Sequence, residues 1–206
     1  MANTGADGTV IDSGMRKRNL RTVGLLAALF FLPLIASFYM YYGSAWRPVA
    51  STAHGELYQP ARPLPPAELR DAKSQVAPVN VFNEKWALVY VGGGACDDVC
   101  KSSLYFMRQT RLSLNNEMTR VNRVFLATSA CCDNEFLDRE HAGLLSLDAS
   151  GPEAASLVAA FPAADRERSL YVVDPLGNLV MRYDTRDTPK GLLDDLKKLL
   201  KLSHIG

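Results

Sequence analysis

The longest uncharged stretch of the chain lies near its N-terminus and constrains everything that follows it. Residues 22–42 contain no charged side chain. At about 1.5 Å of rise per residue, a helix over this stretch can cross the ~30 Å hydrocarbon layer of a bilayer. Pro33 lies in its middle, and membrane helices tolerate proline. The sequence therefore predicts one transmembrane helix at residues 22–42, with the lipid bilayer as a partner of the chain.

Basic residues are distributed unevenly around this helix. Four lie between positions 16 and 21, whereas only Arg47 follows the helix closely. Because positive charge is retained on the cytoplasmic side, residues 1–21 are predicted to be a cytoplasmic tail and the C-terminal part to be exported. A cleaved signal peptide is the alternative, although its apolar core is usually shorter. Both interpretations deliver the C-terminal part to the same side of the membrane.

The composition argues against one class of function and limits the number of domains. The chain has 206 residues, with 23 Lys and Arg against 22 Asp and Glu. This balance lacks the basic excess of nucleic-acid binders, so no nucleic-acid partner is expected. Prolines between Gln59 and Pro66 predict that residues 43–79 form an extended linker, in which His54 is solvated. Residues 80–206 then form one domain of ordinary size.

The order of predicted elements within residues 80–206 defines the fold class. An apolar run at 86–91, ended by glycines, indicates a buried strand. The later patterns predict a helix at about 97–116, a strand at 123–127, a helix at 152–161, a hairpin of strands at 170–173 and 179–183, and a final helix at 189–202. Strand, helix and strand require parallel pairing through a right-handed crossover, and the hairpin adds antiparallel pairing. The prediction is an α/β fold, a thioredoxin-like mixed sheet flanked by helices and preceded by the transmembrane helix.

Two cysteines lie where the first strand gives way to a helix. Cys96 and Cys100 are four residues apart, which places their sulfurs on one face of the first helical turns. Such a pair can exchange disulfides or bind a soft ion such as Cu(I). The first-turn N–H groups favour a thiolate, while Asp97 and Asp98 oppose it. A structural disulfide is the alternative, but an accessible glycine-rich loop favours the catalytic or metal-binding interpretation.

Two further cysteines follow the second predicted strand. In an α/β sheet, Cys131 and Cys132 should lie at the same strand-end rim as Cys96. They are candidate auxiliary residues, either as resolving thiols or as further ligands. A four-thiolate zinc site is less favoured, because the spacing lacks the paired C-x₂-C pattern. His141 and His204 are expected to be solvated surface residues.

These cysteines belong to a segment that resembles a known family. Residues 96–104, Cys-Asp-Asp-Val-Cys-Lys-Ser-Ser-Leu, resemble the C-P-D-V-C-P-x-x-L signature of the Sco/SenC proteins, and residues 170–178 resemble their later strand and turn. The resemblance covers most of residues 80–203, and the chain is similar to small Sco-like membrane proteins found alongside cytochrome oxidase genes in proteobacteria. It implies a periplasmic thioredoxin fold, anchored in the bacterial inner membrane, that delivers copper to the CuA site of cytochrome c oxidase or reduces its cysteines.

The sequence departs from the family pattern at two positions. Sco proteins bind copper with both motif cysteines and a histidine before the later strand, and that histidine position falls near Arg166 here. Arginine stays protonated and cannot be a ligand. Asp97 replaces the first proline of the motif. The resemblance therefore implies a thiol–disulfide oxidoreductase or a Cu(I) carrier that acts through Cys96 and Cys100.

The implied partner is the oxidase subunit that carries CuA, or another assembly factor, and Cu(I) is the only candidate cofactor. Two alternatives differ in class. The domain could be a general periplasmic thiol oxidoreductase without a link to copper. It could also be a non-enzymatic thioredoxin-like scaffold of the oxidase complex, with its cysteines bridged only for stability.

Overall fold

The chain divides into two compact units, Met1–Ala50 and Ser51–Gly206. A computed structural model describes residues 13–43, 53–71, 74–78, 81–130, 132, 134–203 and 205. Most of the predicted cytoplasmic tail, together with Cys131 and His204, lies outside the described residues. The expectations for those positions stay predictions.

The first unit contains one long helix, α1 (Ser13–Gly43). Its stretch Asn19–Gly43 is long and apolar enough to cross a membrane, and none of it is buried against protein. Apolar side chains exposed along a whole helix are unfavourable in water and favourable in lipid. The predicted span at 22–42 lies within this stretch, and Pro33 is accommodated inside the helix.

The second unit is built on one seven-stranded sheet in the order β1-β7-β6-β3-β4-β5-β2. Strands β3, β4 and β5 are parallel neighbours, and all the other neighbouring pairs are antiparallel. The central strand β3 is buried along its whole length. The strands are β1 (Glu56–Pro63), β2 (Arg70–Asp71), β3 (Trp86–Gly92), β4 (Val121–Ala127), β5 (Leu145–Asp148), β6 (Ser169–Val173) and β7 (Asn178–Asp184).

Helices cover both faces of this sheet. They are α2 (Asp98–Leu112), α3 (Asn134–Glu140), α4 (Ala155–Ala160) and α5 (Pro189–Leu202), with short 3₁₀ turns at Asn115–Arg120, Pro152–Ala154 and Arg166–Arg168. Helices α2 and α5 pack over one face, where Met107 and Leu196 meet Phe125 in one apolar cluster. Helix α4 covers the other face, where Leu157 packs with Val89. The predicted thioredoxin-like mixed sheet between helical layers is confirmed.

The proline-rich segment is not the unpacked linker that its composition predicts. Within it, β1 pairs antiparallel with β7, and Tyr58 is buried. The backbone N–H groups of His54 and Gly55 donate to a carboxylate oxygen of Asp195 on α5, at 2.6 and 3.1 Å. A proline is tolerated in β1 because an edge strand has N–H positions that need no ladder partner. The expectation of an unpacked linker is therefore wrong for Glu56–Pro63. The side chain of His54 is 52% exposed, as expected of a solvated histidine, and its Nδ1 lies 3.2 Å from a carboxylate oxygen of Asp195.

Candidate functional site

The loops after β3 and β4 meet at one edge of the sheet. The Thr128 backbone N–H donates to the Gly92 carbonyl at 2.9 Å, and the Gly94 N–H donates to the Ser129 hydroxyl at 3.1 Å. A Cβ atom at Gly94 would lie 2.0 Å from the Ala130 carbonyl oxygen, so only glycine allows this approach. The two loops share a rim, as expected where neighbouring parallel strands end.

A fixed turn leads from this rim into α2. Cys96 has a φ of +47°, in the left-handed region that residues with a side chain seldom adopt. Its N–H donates to the Gly93 carbonyl at 3.1 Å. Asp97 is the N-cap of α2, and its carboxylate accepts from the Cys100 N–H at 2.9 Å. The cap explains why the helix begins at Asp98.

Cys96 and Cys100 are joined in a disulfide across this turn, with their Cα atoms 5.0 Å apart. The prediction that their sulfurs can meet is confirmed. Each residue is only 2% exposed and packs in the apolar cluster that contains Leu104 and Phe125. The expectation of an accessible pair is wrong for this oxidised state, because α2 and the sheet enclose both residues. A disulfide is uncharged, so this burial leaves no ionic group unsolvated.

A crevice lies between the ends of β3 and β4 and the 3₁₀ turn before β6, where the resemblance places the missing histidine. It has a volume of about 300 Å³, and its lining includes Gly92, Thr128 and Arg166. Arg166 belongs to the 3₁₀ turn before β6, and its Nη2 donates to the Phe161 carbonyl at 2.7 Å. The guanidinium is held by the backbone, and it offers no lone pair to a metal.

Tyr90 links this 3₁₀ turn to the central strand, although its sequence context does not predict it as a site residue. Its hydroxyl donates to the Glu167 carbonyl at 3.1 Å. Burial, followed by the charges of Asp97 and Glu167, raises the pKa of Tyr90 far above its usual value. The hydroxyl therefore stays protonated and positions the crevice wall. Its hydroxyl group, near the end of an otherwise apolar strand, is the sequence feature that could have indicated a role for Tyr90.

The structure places Cys132 on the same side of the sheet as the Cys96–Cys100 pair. Cys132 is partly buried, packs against the same apolar cluster and is itself disulfide-bonded. Within the described part of the chain, no group of three or more His, Cys, Asp or Glu residues could hold a metal ion.

His141 is buried, so the expectation of a surface histidine is wrong. It is 3% exposed after α3, and its ring lies 5.2 Å from the Phe136 ring in an edge-to-face arrangement. Burial, together with the charges of Arg123 and Arg108, lowers the pKa of His141. Its Nδ1 has no hydrogen-bond partner. The polar residues that precede His141 in the sequence favoured an exposed position, and for this reason its burial was not predicted.

The fold and the oxidised cysteine pair define a thioredoxin-fold protein with a disulfide at the first strand–helix turn. Among family profiles, the one described as "Transmembrane-like, thioredoxin-like, C-terminal domain" matches residues 86–203. This match covers more than half of the chain, and the chain therefore belongs to that family. No curated protein matches the sequence significantly.

Solved structures of Sco proteins share the fold. Copper-bound yeast Sco1 is 19% identical with a TM-score of 0.59, over 68% of this chain and 92% of that one. Copper-bound ScoI of Bradyrhizobium japonicum is 20% identical with a TM-score of 0.53, over 66% and 98%. BsSco, described as having a disulfide switch and as a member of the Sco family of cytochrome c oxidase assembly proteins, is 13% identical with a TM-score of 0.52, over 69% and 96%. The Sco/SenC resemblance is confirmed at the level of the fold.

Proposed function

We propose that the chain is a membrane-anchored, Sco-like assembly factor for cytochrome c oxidase that acts as a thiol–disulfide reductant through Cys96 and Cys100. The Cys96–Cys100 disulfide at the β3–α2 turn carries this proposal. The neighbours support it, since BsSco combines the same fold with a disulfide switch and a family role in oxidase assembly. The partner is the oxidase subunit that carries the CuA cysteines, or another assembly factor.

The proposed reaction begins with the reduced dithiol. One sulfur, as a thiolate, attacks a partner disulfide and forms a mixed disulfide, and the partner's other sulfur leaves as a thiolate. The second cysteine of the pair loses its proton and attacks the mixed disulfide, which closes the Cys96–Cys100 bond and releases the partner. The partner gains two electrons and two protons. A periplasmic dithiol reductant then regenerates the pair.

The surroundings of the pair favour the reducing direction. A thiolate at this turn would be buried in an apolar cluster and would lie beside the Asp97 carboxylate, which already takes the Cys100 N–H. Burial and negative charge both destabilise the thiolate, whereas a disulfide carries no charge. Because the reduced form is destabilised, we expect a reduction potential between about −200 and −300 mV.

The reductant function is tested with the purified full chain in detergent. After reduction and removal of reductant, it should transfer one pair of thiols to an oxidised CuA domain, measured by thiol titration. C96S and C100S should not turn over, and one of them should trap a mixed disulfide with the CuA domain. S102A changes an exposed hydroxyl on the same helix and should behave as wild type. A potential below about −300 mV together with no transfer would falsify the proposal and indicate a structural bridge.

Measurements of oxidase assembly in cells distinguish this function from the scaffold and from the general oxidoreductase. Intact oxidase assembly in a C96S/C100S strain would favour the scaffold over both thiol functions. If added copper restored oxidase in a deletion strain, the general oxidoreductase without a link to copper would be excluded.

Cu(I) carriage by the reduced pair is a second candidate, favoured by two sulfurs that meet across the β3–α2 turn. Thiolates suit Cu(I), which two sulfurs can hold, and the ion would be cargo released to the partner. We expect 1:1 binding in competition with a chelator, lost in C96S and C100S. R166H supplies an imidazole beside the site and should tighten binding at least about tenfold, whereas R166K should not. Equal binding by wild type and C96S would reject this candidate.

We also propose that α1 anchors the chain in the bacterial inner membrane, with residues 1–21 cytoplasmic and the second unit periplasmic. The length and apolarity of α1 support the anchor, and the preceding basic residues support the orientation. A phosphatase fused after residue 203 should be active, and a fluorescent protein fused there should stay dark. The opposite pattern would reject the orientation, and recovery of the chain in the soluble fraction would reject the anchor.

A further inference from the structure

Among the residues that the structure describes, one charged side chain is buried between β4 and α2 without a counter-charge. Arg123 is the third residue of β4, and strand alternation places it on the same face as Val121 and Phe125, beneath α2. It is 4% exposed. Its Nη2 donates to the Ala142 carbonyl at 2.6 Å, whereas Nε and Nη1 have no acceptor. A buried guanidinium normally finds acceptors for all its N–H groups, so Nε and Nη1 of Arg123 lack the partners expected of them.

Further basic groups surround this guanidinium. Burial, followed by the charges of Arg111 and Arg108 on α2, lowers the pKa of Arg123 to about 10. Arg123 is therefore still protonated at neutral pH. His141 adds a buried imidazole whose Nδ1 has no partner. Arg108, Arg111, Arg123 and His141 are called the basic cluster below.

No carboxylate balances the basic cluster within the described part of the chain. Arg108 and Arg123 take part in none of the ion pairs among the described residues. The Nε of Arg111 donates to the Val121 carbonyl at 2.6 Å. Glu140, the carboxylate that acts on His141, accepts from the Nε of Arg139 at 3.0 Å. The cluster thus concentrates positive charge where the described residues supply no paired anion.

The buried guanidinium lies close beneath the protein surface. It reaches the loop after α3, in which Ala142 and Gly143 are exposed. Gly143 has a φ of +78°, and a Cβ atom there would lie only 3.9 Å from Nη2 of Arg123. Gly143 has no side chain to cover this Nη2 atom. Small shifts of this loop would open the site, since loops are the more mobile parts of a fold.

We propose that the basic cluster binds an oxyanion, meaning a phosphate or carboxylate group, between α2 and the loop that follows α3. The oxygens accept from Nε and Nη1 of Arg123, the groups that lack acceptors. Arginine is well suited to such groups because its N–H donors form charge-assisted bonds with phosphate and carboxylate oxygens. Arg108 and Arg111 add attraction, and the tautomer of His141 with a proton on Nδ1 adds a donor. This site is independent of the thiol chemistry.

The test uses the full chain in detergent with the disulfide kept oxidised. Inorganic phosphate and acetate are titrated separately, each against sodium chloride of equal ionic strength, by calorimetry and by thermal unfolding. The two arms distinguish a phosphate ligand from a carboxylate one. We expect saturable 1:1 binding of at least one anion and a rise in melting temperature that chloride does not reproduce.

Variants assign the effect to the basic cluster. R123M should weaken binding at least about tenfold, and R108M, which alters a less buried residue, should weaken it several-fold even if R123M fails to fold. R62M removes the same charge from exposed strand β1 and should bind as wild type does. The proposal is overturned if wild type responds to phosphate and acetate only as to chloride, or if a folded R123M or R108M binds as tightly as R62M.

Discussion

Two buried sites on the same face of the sheet, the disulfide and the basic cluster, differ in how their polar or reactive groups tolerate exclusion from water. At the β3–α2 turn, Cys96 and Cys100 are enclosed as a neutral disulfide that needs no hydrogen-bond partner. In the basic cluster, Arg123 is enclosed to nearly the same extent but keeps its charge and leaves N–H groups without acceptors. The first site can carry a charge only after the disulfide is reduced to thiols, whereas the second is charged at neutral pH. One is therefore suited to redox control and the other to a ligand.

The largest expected effect is at the loop that encloses the disulfide. In G94A, the new Cβ would clash with the Ala130 backbone, and we expect a loss of about 3 kcal/mol in the free energy of unfolding. G93A is the control, because its Cβ would lie an ordinary 3.5 Å from the Ser129 hydroxyl. Denaturant unfolding measures both. Equal losses would show that the two loops do not need their close contact.

Removal of the disulfide should have a smaller effect on stability and a complete effect on chemistry. For a loop closed by cysteines four residues apart, chain entropy gives about 2 kcal/mol. C96S/C100S should therefore stay folded by circular dichroism while losing all thiol transfer. A global loss of structure in this variant would mean that the disulfide holds the fold together. That result would contradict the view that this buried site serves redox chemistry.

Histidine 141 should make stability depend on pH. Because its pKa is lowered in the folded chain, the unfolded chain takes up the proton first as pH falls below about 6.5. The free energy of unfolding thus rises with pH in this window, by at most about 1.4 kcal/mol per unit for one proton, and this contribution is complete above about pH 6.5. H141N should lose this slope in urea unfolding at pH 5 to 7, and H204Q should retain it. An unchanged slope in H141N would contradict the assignment.

The smallest expected effect is at the helix cap beside the disulfide. D97N keeps a capping side chain but removes a negative charge, so stability should change by less than about 0.5 kcal/mol. The reduced pair should react a few-fold faster with iodoacetamide at pH 7, because the thiolate loses a repulsive neighbour. D98N removes the same charge without affecting the cap. If D98N accelerated the reaction more than D97N, the carboxylate that destabilises the thiolate would be Asp98 and not Asp97.

The sequence predicted those helices and strands that are defined by a pattern of neighbouring residues. The apolar run of β3, the turn between β6 and β7 and the leucine spacing of α5 each define an element without reference to distant residues. The missed elements lack such signals. Helix α3 has seven residues and β5 has four, and β1 exists only because β7 offers an edge to pair with.

The same distinction holds for the candidate site. The four-residue spacing of Cys96 and Cys100 is local, and it predicted correctly that their sulfurs can meet. The burial of His141 and Arg123 depends on how α2, β4 and the loop after α3 close together, and nothing near these residues in the sequence encodes that. Tyr90 was missed because its partner, Glu167, is 77 residues away.

The strand order has a consequence for how closely copies of the chain can approach one another. A sheet edge with free N–H and C=O groups invites pairing with another copy and aggregation. Here one edge strand, β1, contains Pro60 and Pro63, which have no N–H to offer, and the charged Arg62 between them. The other edge strand, β2, has only two residues. Copies of the second unit can therefore come close to one another without joining their sheets into a continuous ribbon.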